Sequence, residues 1–133
     1  MIQKTILIKI YDENNINEIN KLLKNTKISN KDYIDFLNNC NFKKDDFIFL
    51  DPPYLVEKVN EYYKDIFNIN QFEELKNICD KLDKKGINFM LTLNKHSNLK
   101  RLFNEYNIKI FKKKYSSITN GKINEYEMII TNY

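Results

Sequence analysis

The run Phe47-Ile48-Phe49-Leu50 is stopped by Asp51-Pro52-Pro53-Tyr54, and no other segment restricts the fold as tightly. Continuous apolarity over four residues predicts a strand buried on both faces, as in a parallel α/β sheet. Two consecutive prolines have fixed φ and no N–H, so neither a helix nor a strand ladder continues through them. The chain must leave the sheet rigidly, with a carboxylate at the exit and an aromatic ring just beyond it. Such an exit suits a flat ligand that carries an amino group. Asp51 accepts one amine hydrogen, a proline carbonyl accepts the second, and Tyr54 covers the π-face. A rigid turn whose acid caps a helix accounts for the same four residues.

The rest of the pattern alternates between strand and helix. Residues 6–10 read as a short strand. Residues 12–24 read as a helix with Asp12 as N-cap and Ile16, Ile19, Leu22 and Leu23 on one face. A short strand at 26–28 and a helix at 31–39, with Ile34, Phe36 and Leu37 apolar, lead into the strand at 46–50, expected at the sheet centre. Residues 55–70 read as a loop with Tyr62, Tyr63 and Phe67. An amphipathic helix follows at 71–84 through Phe72, Leu75, Ile78, Cys79 and Leu82, closed by Gly86. A strand at 87–93, a helix at 96–106 and strands at 108–113 and 126–131 complete the chain, with Asn120-Gly121 marking a turn between the last two. The order predicts one domain over residues 1–133, an α/β Rossmann-like sheet, mostly parallel, with an antiparallel C-terminal hairpin.

Bulk properties exclude some classes. A chain of 133 residues with 42% hydrophobic and 30% charged content can build a core of its own. No apolar stretch approaches the ~18 residues of a membrane span, and the first residues lack a signal-peptide layout. The net charge of +4 suits a nucleic-acid partner without requiring one. Cys40 and Cys79 have no metal-ligand spacing and read as buried free thiols of a cytoplasmic protein. The lone His96 reads as a helix-start residue, so no metal site is expected. Lys109, Lys112, Lys113 and Lys114 fit a solvated edge strand better than a phosphate-binding patch.

Several segments together resemble the C-terminal half of the Dam-like, D12-class DNA adenine-N6 methyltransferases. They are Asn30-Lys31-Asp32-Tyr33; residues 45–54 with Asp51-Pro52-Pro53-Tyr54; Phe67 with Leu75; residues 84–94; Arg101-Leu102-Phe103; Tyr115-Ser116; and residues 127–133. Their order and spacing are the family's, from about residue 26 to the end. The resemblance implies a partial methyltransferase sheet and transfer of a methyl group from S-adenosylmethionine to adenine N6. The substrate would be double-stranded DNA with the adenine flipped out of the stack, because N6 is otherwise inaccessible. It implies that Asp51 and the Pro52 carbonyl accept from the amino group, with Pro53 completing the motif and Tyr54 stacking on the ring. Asp32, Tyr33 and Asp51 would contact the cofactor. For Asp32 and Tyr33, a helix cap and a core tyrosine remain the alternative.

The sequence also departs from that family. It has two glycines, Gly86 and Gly121, and neither lies in the family's Phe-x-Gly-x-Gly turn. The acidic ribose-binding strand and the target-recognition domain have no counterpart either. Gln71 stands where the family often has an acid, and Asn94-Lys95 where it often has Asn-Asp. These departures imply a truncated enzyme, a half that works with a complementing N-terminal methyltransferase chain, or an inactive remnant of the fold. A methyltransferase acting on RNA or protein nitrogen is a further alternative, since related clamps hold other planar amines.

Overall fold

A computed structural model describes residues 11–55, 67–112 and 126–133. The expected strand at 6–10, Tyr62, Tyr63, Lys113, Lys114, Tyr115 and the Asn120-Gly121 turn lie outside the described residues. The chain divides into two compact units, Met1–Asp32 and Tyr33–Tyr133.

In the first unit, α1 (Glu13–Leu23) forms as expected. Asp12 caps it, its carboxylate accepting from the amides of Asn14 at 3.0 Å and Asn15 at 3.3 Å. The apolar residues Ile16, Ile19, Leu22 and Leu23 are all exposed. The expected strand at 26–28 does not form. The open carbonyls at the end of α1 engage Thr26 instead: its amide donates to Leu23 O at 3.0 Å and its hydroxyl to Leu22 O at 3.4 Å. Ile28 is exposed.

The second unit is an α/β layer pair. Its elements are α2 (Tyr33–Asn39), β1 (Phe47–Leu50), α3 (Ile69–Lys84), β2 (Asn88–Asn94), α4 (Ser97–Leu102), β3 (Asn107–Lys112) and β4 (Tyr126–Thr131). The sheet order is β1-β2-β4-β3, with β1 parallel to β2 and the other pairings antiparallel. The C-terminal hairpin is therefore present. One of the three pairings is parallel, and β1, expected at the centre, lies at an edge of the described sheet. Its side chains alternate, Ile48 buried and Phe47 and Phe49 more than half exposed. A short apolar run does not distinguish a strand covered on both faces from one covered on one. The helices of this unit pack on the Ile48 face.

That inner face is the core. Phe89, Leu91 and Leu93 of β2 and Met128 and Ile130 of β4 are fully buried. They meet Phe72, Leu75, Cys79 and Leu82 of α3, and Leu99 and Phe103 close the same cluster. Burial pushes the Cys79 thiol up to about 12, so it stays protonated and behaves as a small apolar group. Helix α3 begins two residues before the expected start, because Asn68 and Gln71 form a reciprocal capping box. Gly86 ends the connection to β2 at φ +67°, in the left-handed region. His96 caps α4, its Nδ1 accepting from the Asn98 amide at 3.2 Å. The helix expected to reach residue 106 stops at Leu102, in turns bonded to Leu99 and Phe103 carbonyls.

A polar network ties α3 to the start of β3. Lys76 Nζ reaches both oxygens of Asp80, at 2.7 and 2.9 Å, and Glu105 Oε2 at 3.0 Å. The Tyr106 hydroxyl donates to Asp80 Oδ1. For Asp80, burial opposes ionisation, but hydrogen bonds from Lys76 and Tyr106 outweigh it and hold the carboxyl below its usual range. For Lys76, burial works against the charge, and its bonds to Asp80 and Glu105 outweigh it and hold the ammonium above its usual range. Burial, then Asp80, push the Tyr106 phenol up.

Two measurements check these assignments. No neighbour lies within 4 Å of a Cβ added at Gly86, so Gly86→Ala meets only the backbone cost of its positive φ. Urea unfolding should show a loss of about 1–2 kcal/mol, and a neutral result would contradict the cap. Asp80 ionises more readily folded than unfolded, so its contribution is complete above about pH 4 and is lost as pH falls through the lower folded value. Asp80→Asn should therefore cost about 1–2 kcal/mol at neutral pH, and its stability should converge with the wild type in acid.

Candidate functional site

The site begins where β1 ends. Pro52 and Pro53 offer no N–H, so the ladder with β2 stops at Leu50, opposite Leu91. Asp51 lies at the carboxyl end of the strand, exposed, where open α/β sheets bind ligands. Upstream, the turn into β1 is closed by Asp46, whose carboxylate accepts from the Lys43 amide at 2.7 Å.

A cavity of about 280 Å³ opens beside Asp51. Phe49, Leu50, Asp51 and both prolines form one wall; Tyr33, Phe67 and Leu75 complete the lining. The aromatic part is braced. Tyr33 and Phe67 rings sit 5.5 Å apart, and Phe67 meets Phe72 edge-on at 4.7 Å. The Tyr33 hydroxyl donates to the Gln71 carbonyl at 3.3 Å. The result is an apolar, ring-lined hollow with one carboxylate on its rim. Its volume is near the lower end of the ~300–1,000 Å³ range of ligand pockets, enough for a flat ring system.

The segment after Asp51 is pinned by side chains from the neighbouring strands. The Thr92 hydroxyl donates to Asp51 Oδ1 at 2.6 Å. Asn94 clasps Leu55 twice: its Oδ1 accepts from the Leu55 amide at 3.1 Å and its Nδ2 donates to the Leu55 carbonyl at 2.9 Å. The Tyr54 hydroxyl donates to Glu127 Oε1. Thr92, Asn94 and Glu127 share one sheet face, with Asn94 and Glu127 paired across β2 and β4.

Of the residues expected from sequence, Tyr33, Asp51, Pro52 and Pro53 come together around this cavity. Tyr54 follows directly but does not line it, its ring being held through Glu127. Asp32 is exposed and belongs to the first unit. Thr92, Asn94 and Glu127 are not among the expected site residues, although they lie in the family-like segments 84–94 and 127–133. Two larger hollows lie elsewhere. One, of about 470 Å³, is lined by Asp80, Glu105 and Tyr106, which already satisfy one another and Lys76. The other, of about 430 Å³, lies around Ile69 and Arg101. Volume alone would favour both, but neither combines a strand-end carboxylate with stacking walls. Among the described residues no cluster of His, Cys, Asp and Glu could hold a metal ion, and no helix is long and apolar enough to cross a membrane.

The family model of the D12 class N6 adenine-specific DNA methyltransferases matches residues 2–117. A curated relative, the Type II methyltransferase M.MjaIII of Methanocaldococcus jannaschii, is 31% identical over 125 residues. The alignment takes in 91% of this chain and 39% of the relative, so the chain spans well under half of that protein's length. The family match includes the first unit, which the motif-by-motif resemblance from residue 26 largely leaves out. It ends before β4 and Glu127.

Proposed function

The chain belongs to the D12 class N6 adenine-specific DNA methyltransferases, and on that premise we propose that its residues 51–54 clamp an adenine flipped out of DNA for methylation at N6. The single observation that carries this reading is Asp51 at the carboxyl end of β1, beside a hollow walled by Tyr33, Phe67 and the two prolines. The Asp51 carboxylate accepts from the amino group and the Pro52 carbonyl takes the second hydrogen. These two acceptors push density onto nitrogen and aim its lone pair. Tyr54 covers the ring face once the base is in place. Catalysis is by positioning and electrostatics, with no covalent bond to the protein.

S-adenosylmethionine, when bound, supplies a methyl group on a positively charged sulfur. The residues present fit part of that cofactor. Tyr33 offers it a ring and Asp51 a polar contact, with Phe67 and the prolines left to wall the base. A backbone cradle for the methionine end needs closely spaced glycines, and Gly86 caps the end of α3 while Gly121 stands 35 positions later in the chain (121 − 86). We infer that a complementing N-terminal methyltransferase segment supplies that cradle. The outer edge of β1, unpaired among the described residues, and the exposed Phe47 and Phe49 support this reading. An inactive module of the same fold is the second reading; the wide separation of the two glycines, Gly86 and Gly121, favours it.

The chain alone, incubated with labelled S-adenosylmethionine and adenine-rich DNA, should transfer no label above background; clear turnover would contradict the need for a complementing segment. Together with such a segment, activity should return. Asp51→Ala should then raise the barrier by about 2–4 kcal/mol, and Tyr54→Ala should weaken base capture by about 1–3 kcal/mol. A complemented enzyme indifferent to both changes rules out the clamp, and an inactive mixture supports the second reading.

A further inference from the structure

We propose that Thr92, Asn94 and Glu127 are positioning residues that hold the three working parts of the 51–55 segment, with Thr92 setting the carboxylate that reads the amino group. The inference rests on the clamp reading above and goes one layer beneath it. A carboxylate at an exposed strand end has rotamer freedom, and an acceptor that wanders discriminates poorly. Asp51 is so placed, and the Thr92 hydroxyl fixes it through Oδ1 at 2.6 Å. A carboxylate has about four lone-pair sites, so this bond leaves Oδ2 open to a second donor. A hydrogen bond to a charged acceptor is also short and directional, which makes it a good rotamer lock.

Asn94 performs the same service for the backbone. Prolines at 52 and 53 give the sheet no amide to hold, and Leu55 supplies the first described backbone pair after them that is gripped from β2. Asn94 satisfies both groups of Leu55, at 3.1 and 2.9 Å, as a strand neighbour would. Glu127 holds the Tyr54 hydroxyl from the adjacent strand. The three holders are half-buried and share the sheet face opposite the core. Their placement follows from strand register, since Thr92 stands one residue past the Leu50–Leu91 pair.

The test reads amino-group recognition on the full chain. Fluorescence anisotropy compares two labelled single-stranded oligonucleotides that differ at one central base: adenine, or purine, which lacks the 6-amino group. Stacking and phosphate contacts are common to both, so the ratio of dissociation constants isolates the amino contact. The wild type should prefer adenine roughly tenfold, the lower range for a bond to a charged group. Asp51→Ala should cut the preference to about twofold or less, the part left to the Pro52 carbonyl. Thr92→Val keeps the shape and removes the hydroxyl; it should bring the preference to within about twofold while leaving purine binding unchanged. Thr92→Ser should restore it. Asn94→Ala should raise amide exchange at Leu55 and lower the preference part-way. Preference lost in Asp51→Ala but kept in Thr92→Val overturns the positioning role and leaves the clamp intact. Loss in both Thr92→Val and Thr92→Ser overturns it too, because the hydroxyl is then not what matters. A wild type that binds adenine and purine alike overturns the clamp and the positioning role together.

Discussion

The parallel register of β1 on β2 is the constraint on which the candidate site depends. Leu50 lies opposite Leu91, so Asp51 emerges beside Thr92. A slip of one residue would turn Ile48 and Leu50 away from the core and carry Asp51 off its partner. What fixes the register is the inner face. Ile48 sits level with Phe89, Leu50 with Leu91, and α3 covers that row with Phe72, Leu75 and Leu82. Core packing on one face thus sets the geometry of polar side chains on the other. At the far end of the sheet, Asn132 does similar work. Its side chain accepts from the Phe89 amide at 2.9 Å and donates to the Ile87 carbonyl at 3.0 Å, tying the end of β4 to the start of β2.

The two ends of the sheet carry different chemistry. At the amino end of β2, the Lys76, Asp80, Glu105 and Tyr106 network is internally satisfied and serves to dock α3 on the turn before β3. At the carboxyl end, Asp51 has one oxygen held and stands beside an apolar hollow. A paired network contributes mainly to stability; a held but incompletely used acceptor next to stacking surfaces is suited to a ligand. This contrast, more than cavity size, separates the candidate site from the larger hollow beside Asp80.

Much of this was legible in the sequence because it follows from local rules. Asp12 and His96 as caps, Gly86 as a helix stop and the buried positions of α3 all follow from short-range pattern. So did Asp51 at a strand end, because two prolines cannot lie within a ladder. The short strand at 26–28 and the central place of β1 are not legible in the sequence, since both depend on what lies alongside, which a run of three or four residues does not encode. The start of α3 was readable but missed: Asn68 with Gln71 three residues on is a capping-box signature. It also gives Gln71 a structural task where the family often has an acid. Thr92, Asn94 and Glu127 had no such signal. In an alternating strand their positions read as solvent-facing, and their partners lie 41, 39 and 73 residues away.

The proposed clamp requires that an adenine ring enter the hollow beside Asp51. The most direct measurement is amide NMR of the labelled full chain titrated with free adenosine. Saturable shifts should centre on Asp51, Leu55, Phe67 and Leu75, with Thr92 responding through its bond to Asp51. Shifts centred instead on Asp80, Glu105 and Tyr106, or no response at Asp51 and Phe67 at saturating adenosine, would contradict it.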